Sequence, residues 1–520
     1  MSDQPRSLPD RPSLRYLKLE AKRRLAAGEF ESLHLAQLAI AREHRQPSWT
    51  ALKEVIEAQS APAGPAHTQV RWALSRFRGA GRPGWAPPDE SELREHFDEH
   101  YLMTLSPEKI TRTLTDAAPR LDGELVIEAA SARGVRAQIS GMRLEALTEP
   151  AAPHRLIRLR LYPLAQRLTD PRVGETATRI SGAPPASAIE VAEQAYGELG
   201  LPGLVVAGSA DTPTDAGVPG SDGIWTAARG WAELDAPRPL EAGAPFPVYA
   251  VAMLITSTAV LRLVAEGQVA LDRPANSYLR ALRLARDDVT VRELLSHTGG
   301  VDSPGERFAA AVPDLVSVLG PVVPCGGERG SFRHSSGGYG ALGQLIADVT
   351  GEPYPRAAAR LVLGPLRMAD SSFPATWPGA GPGTAPRTGQ DTGAVAGYRL
   401  ADDGTFESVP PQVSTIPAAA GLWSTAADLV RFGRGWAGLL PAELAREALR
   451  PHATQGQTRA QVGLGWLLNP AVGFGGHMGY GPAAAASLLV RLGDGRAGVA
   501  LTNRTVPIET VNVRVLRSVA

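Results

Sequence analysis

Two stretches rich in proline and glycine, GAGRPGWAPPDE at 79–90 and TDPRVGETATRISGAPPAS at 169–187, break a chain of 520 residues into parts with separate cores. At that length about three domains are expected. Before the first break, Leu14, Leu17, Ala21 and Leu25 recur at helical spacing, followed by Leu33, Ala36, Leu38 and Ile40, then Trp49, Leu52 and Val55. This pattern predicts a helical module over residues 1–60, a linker with room for a helix over 61–89, and a small domain over 90–168. In the small domain, SELREHFDEHYL and SPEKITRTLTDAA read as helices, the second capped by Ser106. The runs GELVIEAA, GVRAQIS and HRLIRLRLYPL alternate as strands do. Helices followed by an antiparallel sheet make an α+β domain. Residues 169–187 read as a second linker, and 188–520 as one large domain. Its strands GLVVAGS and SLLVRL should share a sheet around an inserted helical region, again α+β.

Charge excludes one function class. With 53 basic and 53 acidic residues and no basic block, the chain lacks the electrostatic footprint of a nucleic-acid binder. The N-terminus begins polar, without an apolar run of signal-peptide length, and no later stretch is apolar for the length of a membrane span. A cytoplasmic protein without a membrane partner is expected. The single Cys325 rules out an intramolecular disulfide and fits a reducing compartment. His96 and His100 lie four apart on one expected helix, but no third ligand accompanies them, so no metal and no cofactor is predicted. The small domain resembles, in element order and length, the cystatin-like or NTF2-like domain that precedes the hydrolase domain in some serine hydrolases. The N-terminal helical module is the part suited to a protein partner.

The large domain carries a succession of landmarks: AVLRLVAEGQVALDRPANSYL, VTVRELLSHTGGV, FRHSSGGYGALGQLIADVTGEPY, GLWSTAADLVRFG, GLGW and GHMGYGPAAAASLLVRLGDGRAGVALTN. In this order they resemble the serine β-lactamase and penicillin-binding protein superfamily, most of all its branch of class C β-lactamases, D-alanyl-D-alanine peptidases and related esterases. The resemblance implies a β-lactamase/transpeptidase-like domain, an antiparallel sheet flanked by helices. It also implies covalent catalysis by a Ser in an S-x-x-K element at the start of a buried helix, with the Lys one turn on. A Tyr of a Y-x-N element shares the acid/base work, and K-T-G or H-x-G on the last strand faces the substrate.

This chain departs from that pattern where the chemistry is carried. Aligned without gaps, the nucleophile position falls on Ala250 and the lysine position on Met253. A methyl cannot attack a carbonyl and a thioether cannot accept a proton at neutral pH. The four lysines, Lys18, Lys22, Lys53 and Lys109, all precede this domain, and arginine stays protonated. Ser257 offers no second register, because Val260 stands where its base would be. His334-Ser335-Ser336 replaces Tyr-x-Asn, whereas His477-Met478-Gly479 keeps H-x-G. His297 in LLSHTGG takes a structural position. The expected pocket is then two histidines, His334 and His477, with Ser335, Ser336, Gly479 and Tyr480 as ligand-binding residues over an enlarged apolar floor.

Three functions are compatible with this pattern. The first is a catalytically degenerate homologue that binds a small molecule. The second is an enzyme repurposed on the same pocket, with His334 and His477 transferring protons on a natural-product-like substrate. The third is a hydrolase that uses Cys325 as nucleophile.

Overall fold

The computed structural model describes residues 14–518 apart from 31, 44–48, 50–51, 54–63, 81, 83, 99–100, 103–106, 122, 132, 164–169, 171, 174–175, 210–222, 305–307, 378–392, 402, 456–459 and 471–472. Two compact units are present, one formed by residues 1–166 and the other by nearly all of the remainder. The expected cap Ser106 and His100 lie outside the described residues.

In the first unit, helices Leu14–Ala26 and Leu33–Glu43 bury Leu17, Ala21, Ala36 and Ile40 together with Leu52. Arg24 ties them by bonding both Glu20 and Glu43. A separate core lies against a four-stranded antiparallel sheet of Val126–Ala130, Gly134–Ile139, Met142–Thr148 and Leu156–Pro163, paired in chain order. The Met142–Thr148 strand alternates between buried and half-buried residues along its whole length, as a sheet with one covered face requires. Within the stretch 61–89 read as linker, residues 65–77 form a helix, and Val70, Leu74 and Phe77 on it join the core of this sheet. Trp85 also packs there, with its indole N–H on the Arg76 carbonyl. The helix fills the room the sequence left for one, and its packing into the core was hidden because prolines punctuate the chain without preventing what lies between them from packing.

The second unit is built on one antiparallel sheet. Its strands run in the order Ala453–Gln455, Ala460–Val462, Leu467–Asn469, Phe474–Tyr480, Ala485–Arg491, Ala497–Thr502, Gly203–Ser209, Ile224–Glu233 and Arg179–Ser181. GLVVAGS and SLLVRL thus share a sheet, as expected, with the Ala497–Thr502 strand between them. The stretch 169–187 read as linker supplies the edge strand Arg179–Ser181 and the buried Asp170, which accepts the Phe406 N–H.

Gly203–Ser209 is buried at every position. That follows from helices on both sides. Leu204 and Val206 face a cluster with helices Ala186–Leu199 and Glu509–Ser518, while Val205 and Ala207 face the main core. The main core contains the helix Ala252–Ala265, preceded by a tight turn of 3-10 helix at Tyr249–Val251. Its residues from Ala252 to Leu261 are all buried, which is the expected fate of a helix apolar on every face. Its three polar side chains are satisfied internally: Thr256 bonds the Tyr354 hydroxyl at 2.7 Å, Thr258 the Leu254 carbonyl at 2.8 Å, and Ser257 the Leu464 carbonyl. Among the described residues no helix is long and apolar enough to cross a membrane.

Candidate functional site

The turn that opens the central helix meets the sheet at the Phe474–Tyr480 strand. A Cβ built on Gly479 would stand 2.0 Å from the Val248 carbonyl oxygen and 3.0 Å from the Ala250 nitrogen. Only glycine allows this approach, and it brings the H-x-G element directly against Ala250. Tyr249, beside Ala250, takes the left-handed region at φ 46° and sets its ring edge-on to Phe308. In a strand, side chains alternate between faces, so His477 shares the face of Gly479. Tyr480 lies on the opposite face. Its hydroxyl donates to the Glu509 carboxylate, and its ring packs on the cluster under the C-terminal helix. The expected ligand contact from the Tyr480 side chain is therefore not made.

The second element sits at the start of the helix Ser336–Thr350. Ser335 is its N-cap: Oγ accepts the Gly338 N–H at 2.9 Å and donates to the Asp302 carbonyl at 3.3 Å. This hydroxyl is thus spent on the helix end, contrary to its expected role toward a ligand. Ser336, also buried, has no side-chain partner among the described residues. The backbone N–H of Ser335 donates to Nδ1 of His297 at 3.1 Å, which requires that nitrogen to be unprotonated and places the His297 proton on Nε2. His297 is held at φ 58°, and its ring lies between those of Tyr339 and His334, each centroid 4.8 Å away. The His334 centroid is in turn 6.4 Å from that of His477. The site is a row of rings, Tyr339, His297, His334 and His477.

All three imidazoles are held neutral at pH 7. Burial drives the pKa of His297 well below its ordinary value, and the neighbouring His334 and His477 add to this. Burial likewise takes His477 to about 4, helped by His334 and opposed by its own bond to the Met478 carbonyl. The surroundings also lower His334, yet its side chain is exposed. His334 is thus the one ring of the three with its side chain open to solvent, His297 and His477 being buried. No carboxylate or ammonium contributes to any of these shifts.

The expected apolar floor is not open. Ala250 keeps 7% of its surface accessible, but Met253 keeps 0% and belongs to the main core. The thioether of Met253, which the resemblance aligns with the family's lysine, packs into the core, and the Ala250 methyl keeps the little accessible surface there is beside it. The thiol of Cys325 contacts the Val323 carbonyl, with no imidazole beside it among the described residues. His96 stacks on Trp72 with centroids 3.6 Å apart and bonds Gln69, a packing role. Among the described residues no group of three His, Cys, Asp or Glu side chains is placed to hold a metal.

Sequence reasoning undervalued His297. Its motif marked a tight turn, but its contact with His334, across 37 positions of chain, exists only once the LLSHTGG turn folds onto the Ser336–Thr350 helix.

Comparison with known proteins follows the same region of the chain. The family model described as Beta-lactamase matches residues 190–518. Esterase EstB of Burkholderia gladioli is 30% identical over 171 residues, 29% of this chain and 44% of that protein. Protein Rv1367c of Mycobacterium tuberculosis is 27% identical over 242 residues, 39% of this chain and 57% of that one. The chain thus spans less than two thirds of the length of either curated relative. Among solved structures, the penicillin binding protein from Bacillus halodurans superposes with a TM-score of 0.51 at 19% identity, covering 62% of this chain and 96% of that one. The D-amino acid amidase from Ochrobactrum anthropi SV3 gives 0.51 at 19% identity, covering 64% and 97%. At such identity these two speak for the fold alone.

Proposed function

The chain belongs to the β-lactamase family, and from that premise we propose that its hydrolase-fold unit is a catalytically degenerate homologue that binds a small molecule without forming an acyl-enzyme. The observation that carries this reading is the place of Ala250. It stands at the start of the buried helix, against the glycine of the H-x-G strand, where the family resemblance puts the nucleophile, and it offers only a methyl group. Met253, one turn on, is sealed in the core and can take no proton. Loss of the nucleophile in a serine protease costs on the order of a millionfold in turnover.

The test is intact-mass measurement after treatment with a fluorophosphonate and with penicillin. We expect no added mass. An adduct on residues 245–260 would refute the reading, and one on Cys325 would make the thiol the nucleophile.

The exposed, neutral imidazole of His334 favours a second reading, acid/base catalysis on a substrate at the same site. In this reading His334 and His477 transfer the protons, His477 as acceptor through its unprotonated Nε2. His334→Ala would then lower kcat for the substrate by about 100-fold or more while leaving KM nearly unchanged. Equal turnover in both proteins would leave the binding reading alone.

A further inference from the structure

Resting on the reading that the site binds a small molecule, we propose that its ligand is electrically neutral and presents a hydrogen-bond donor, a hydroxyl or an amide N–H, to Nε2 of His477. The first ground is the tautomer. Nδ1 of His477 lies 2.8 Å from the Met478 carbonyl, and a carbonyl can only accept, so Nδ1 carries the proton. Nε2 is left as a lone pair with no partner among the described residues. It can accept from a ligand and has nothing to donate.

The second ground is that, among the described residues, no unpaired positive charge stands beside the rings. The large unit has no lysine, since the last one in the chain is Lys109. Arg333, next to His334 in sequence, is engaged by Asp302 at 2.8 Å and is half exposed, with 50% of its side-chain surface accessible. The floor is the Ala250 methyl over the sealed Met253. An anion placed there would give up hydration for neutral rings and a methyl, a poor exchange in a low-dielectric site. A neutral donor loses little and gains the His477 lone pair.

The test uses the full chain labelled with 15N-histidine, at pH 7.5, titrated with matched amide and carboxylate probes on methyl, phenyl and benzyl scaffolds: acetamide and acetate, benzamide and benzoate, phenylacetamide and phenylacetate. The expected result is that at least one amide moves the Nε2 resonance of His477 in the direction of an accepted hydrogen bond. That amide should bind at least about tenfold more tightly than its carboxylate partner. Carboxylates that bind equally well or better would overturn the proposal and leave the binding reading standing. No response to any pair would overturn both. In His477→Phe, which keeps a ring but no lone pair, the amide preference should vanish; its survival would place the acceptor elsewhere and overturn the role of Nε2. The nitrogen shifts of the unaltered protein decide the matter if this variant does not fold.

Discussion

Serine at 250 together with lysine at 253 should turn the hydrolase-fold unit into a slow esterase, acetylated at residue 250 by p-nitrophenyl acetate. The backbone that would receive the chemistry is in place: the Ala250 turn, the close approach of Gly479, and a neutral imidazole at His477. Lysine is close to methionine in length, so it fits the space that Met253 fills. There it would be fully buried, and burial disfavours the ammonium. A fall of about three pKa units, from about 10.4 to about 7.4, leaves roughly a quarter of the amine neutral at pH 7 and able to take the serine proton, at a cost in stability of about 4 kcal/mol. With His334 in place of the family tyrosine, general acid/base assistance is incomplete. A gain of about 100-fold over the parent protein is expected, rather than the full catalytic rate. Ala250→Ser alone should stay near background, since no base stands beside it. The measurement is ester hydrolysis together with the intact mass. A double variant that is folded but neither acetylated nor faster than the parent would mean that the oxyanion donors are no longer aligned.

Acid should destabilise the second unit early, by about 2 kcal/mol between pH 7 and pH 5 from His477, with His297 adding in the same direction. The sign follows from proton uptake. His297 and His477 have folded pKa values well below 6.5 and about 4. In the unfolded chain both return to about 6.5. Between these values the unfolded state binds protons that the folded state refuses, so stability falls as the pH drops below about 6.5. For His477 the loss continues to about pH 4 and then levels off. His477 contributes about 2 kcal/mol by pH 5, and His297 acts with the same sign. Protonating His297 would also remove the acceptor of the Ser335 N–H at the start of a helix. Asp428 and Glu233, whose carboxyls burial pushes upward, act in the opposite direction and offset part of the loss. Urea denaturation at pH 7, 6 and 5 measures the effect. A midpoint that does not move over this range would mean that both rings are hydrated in the folded protein.

What could be read from the chain before folding was local or ordered. The apolar run from Ala250 to Leu263 has no polar face, so it could only be a central helix, and the order of landmarks along 190–518 was enough to reach the family. The same reading aligned Ala250 and Met253 with the family's nucleophile and lysine, and their side-chain chemistry is legible in one letter each. The edge strand at 179–181, and the packing into a core of the helix at 65–77 for which the sequence left room, were not legible, because the prolines and glycines around them dominate the local signal, while the partners that stabilise them are remote in sequence. The faces of the last strand were also decided by the tertiary structure: with a period of two, Gly479 meets the Ala250 turn and Tyr480 is sent to Glu509. So was the role of each polar group in the HSS element. Ser335 caps a helix, the Ser336 hydroxyl has no partner among the described residues, and His334 lies against His297. A residue's type states what it can donate, accept or bury. Which of these it does depends on which atoms the rest of the chain brings within about 3 Å, and that is set by packing alone.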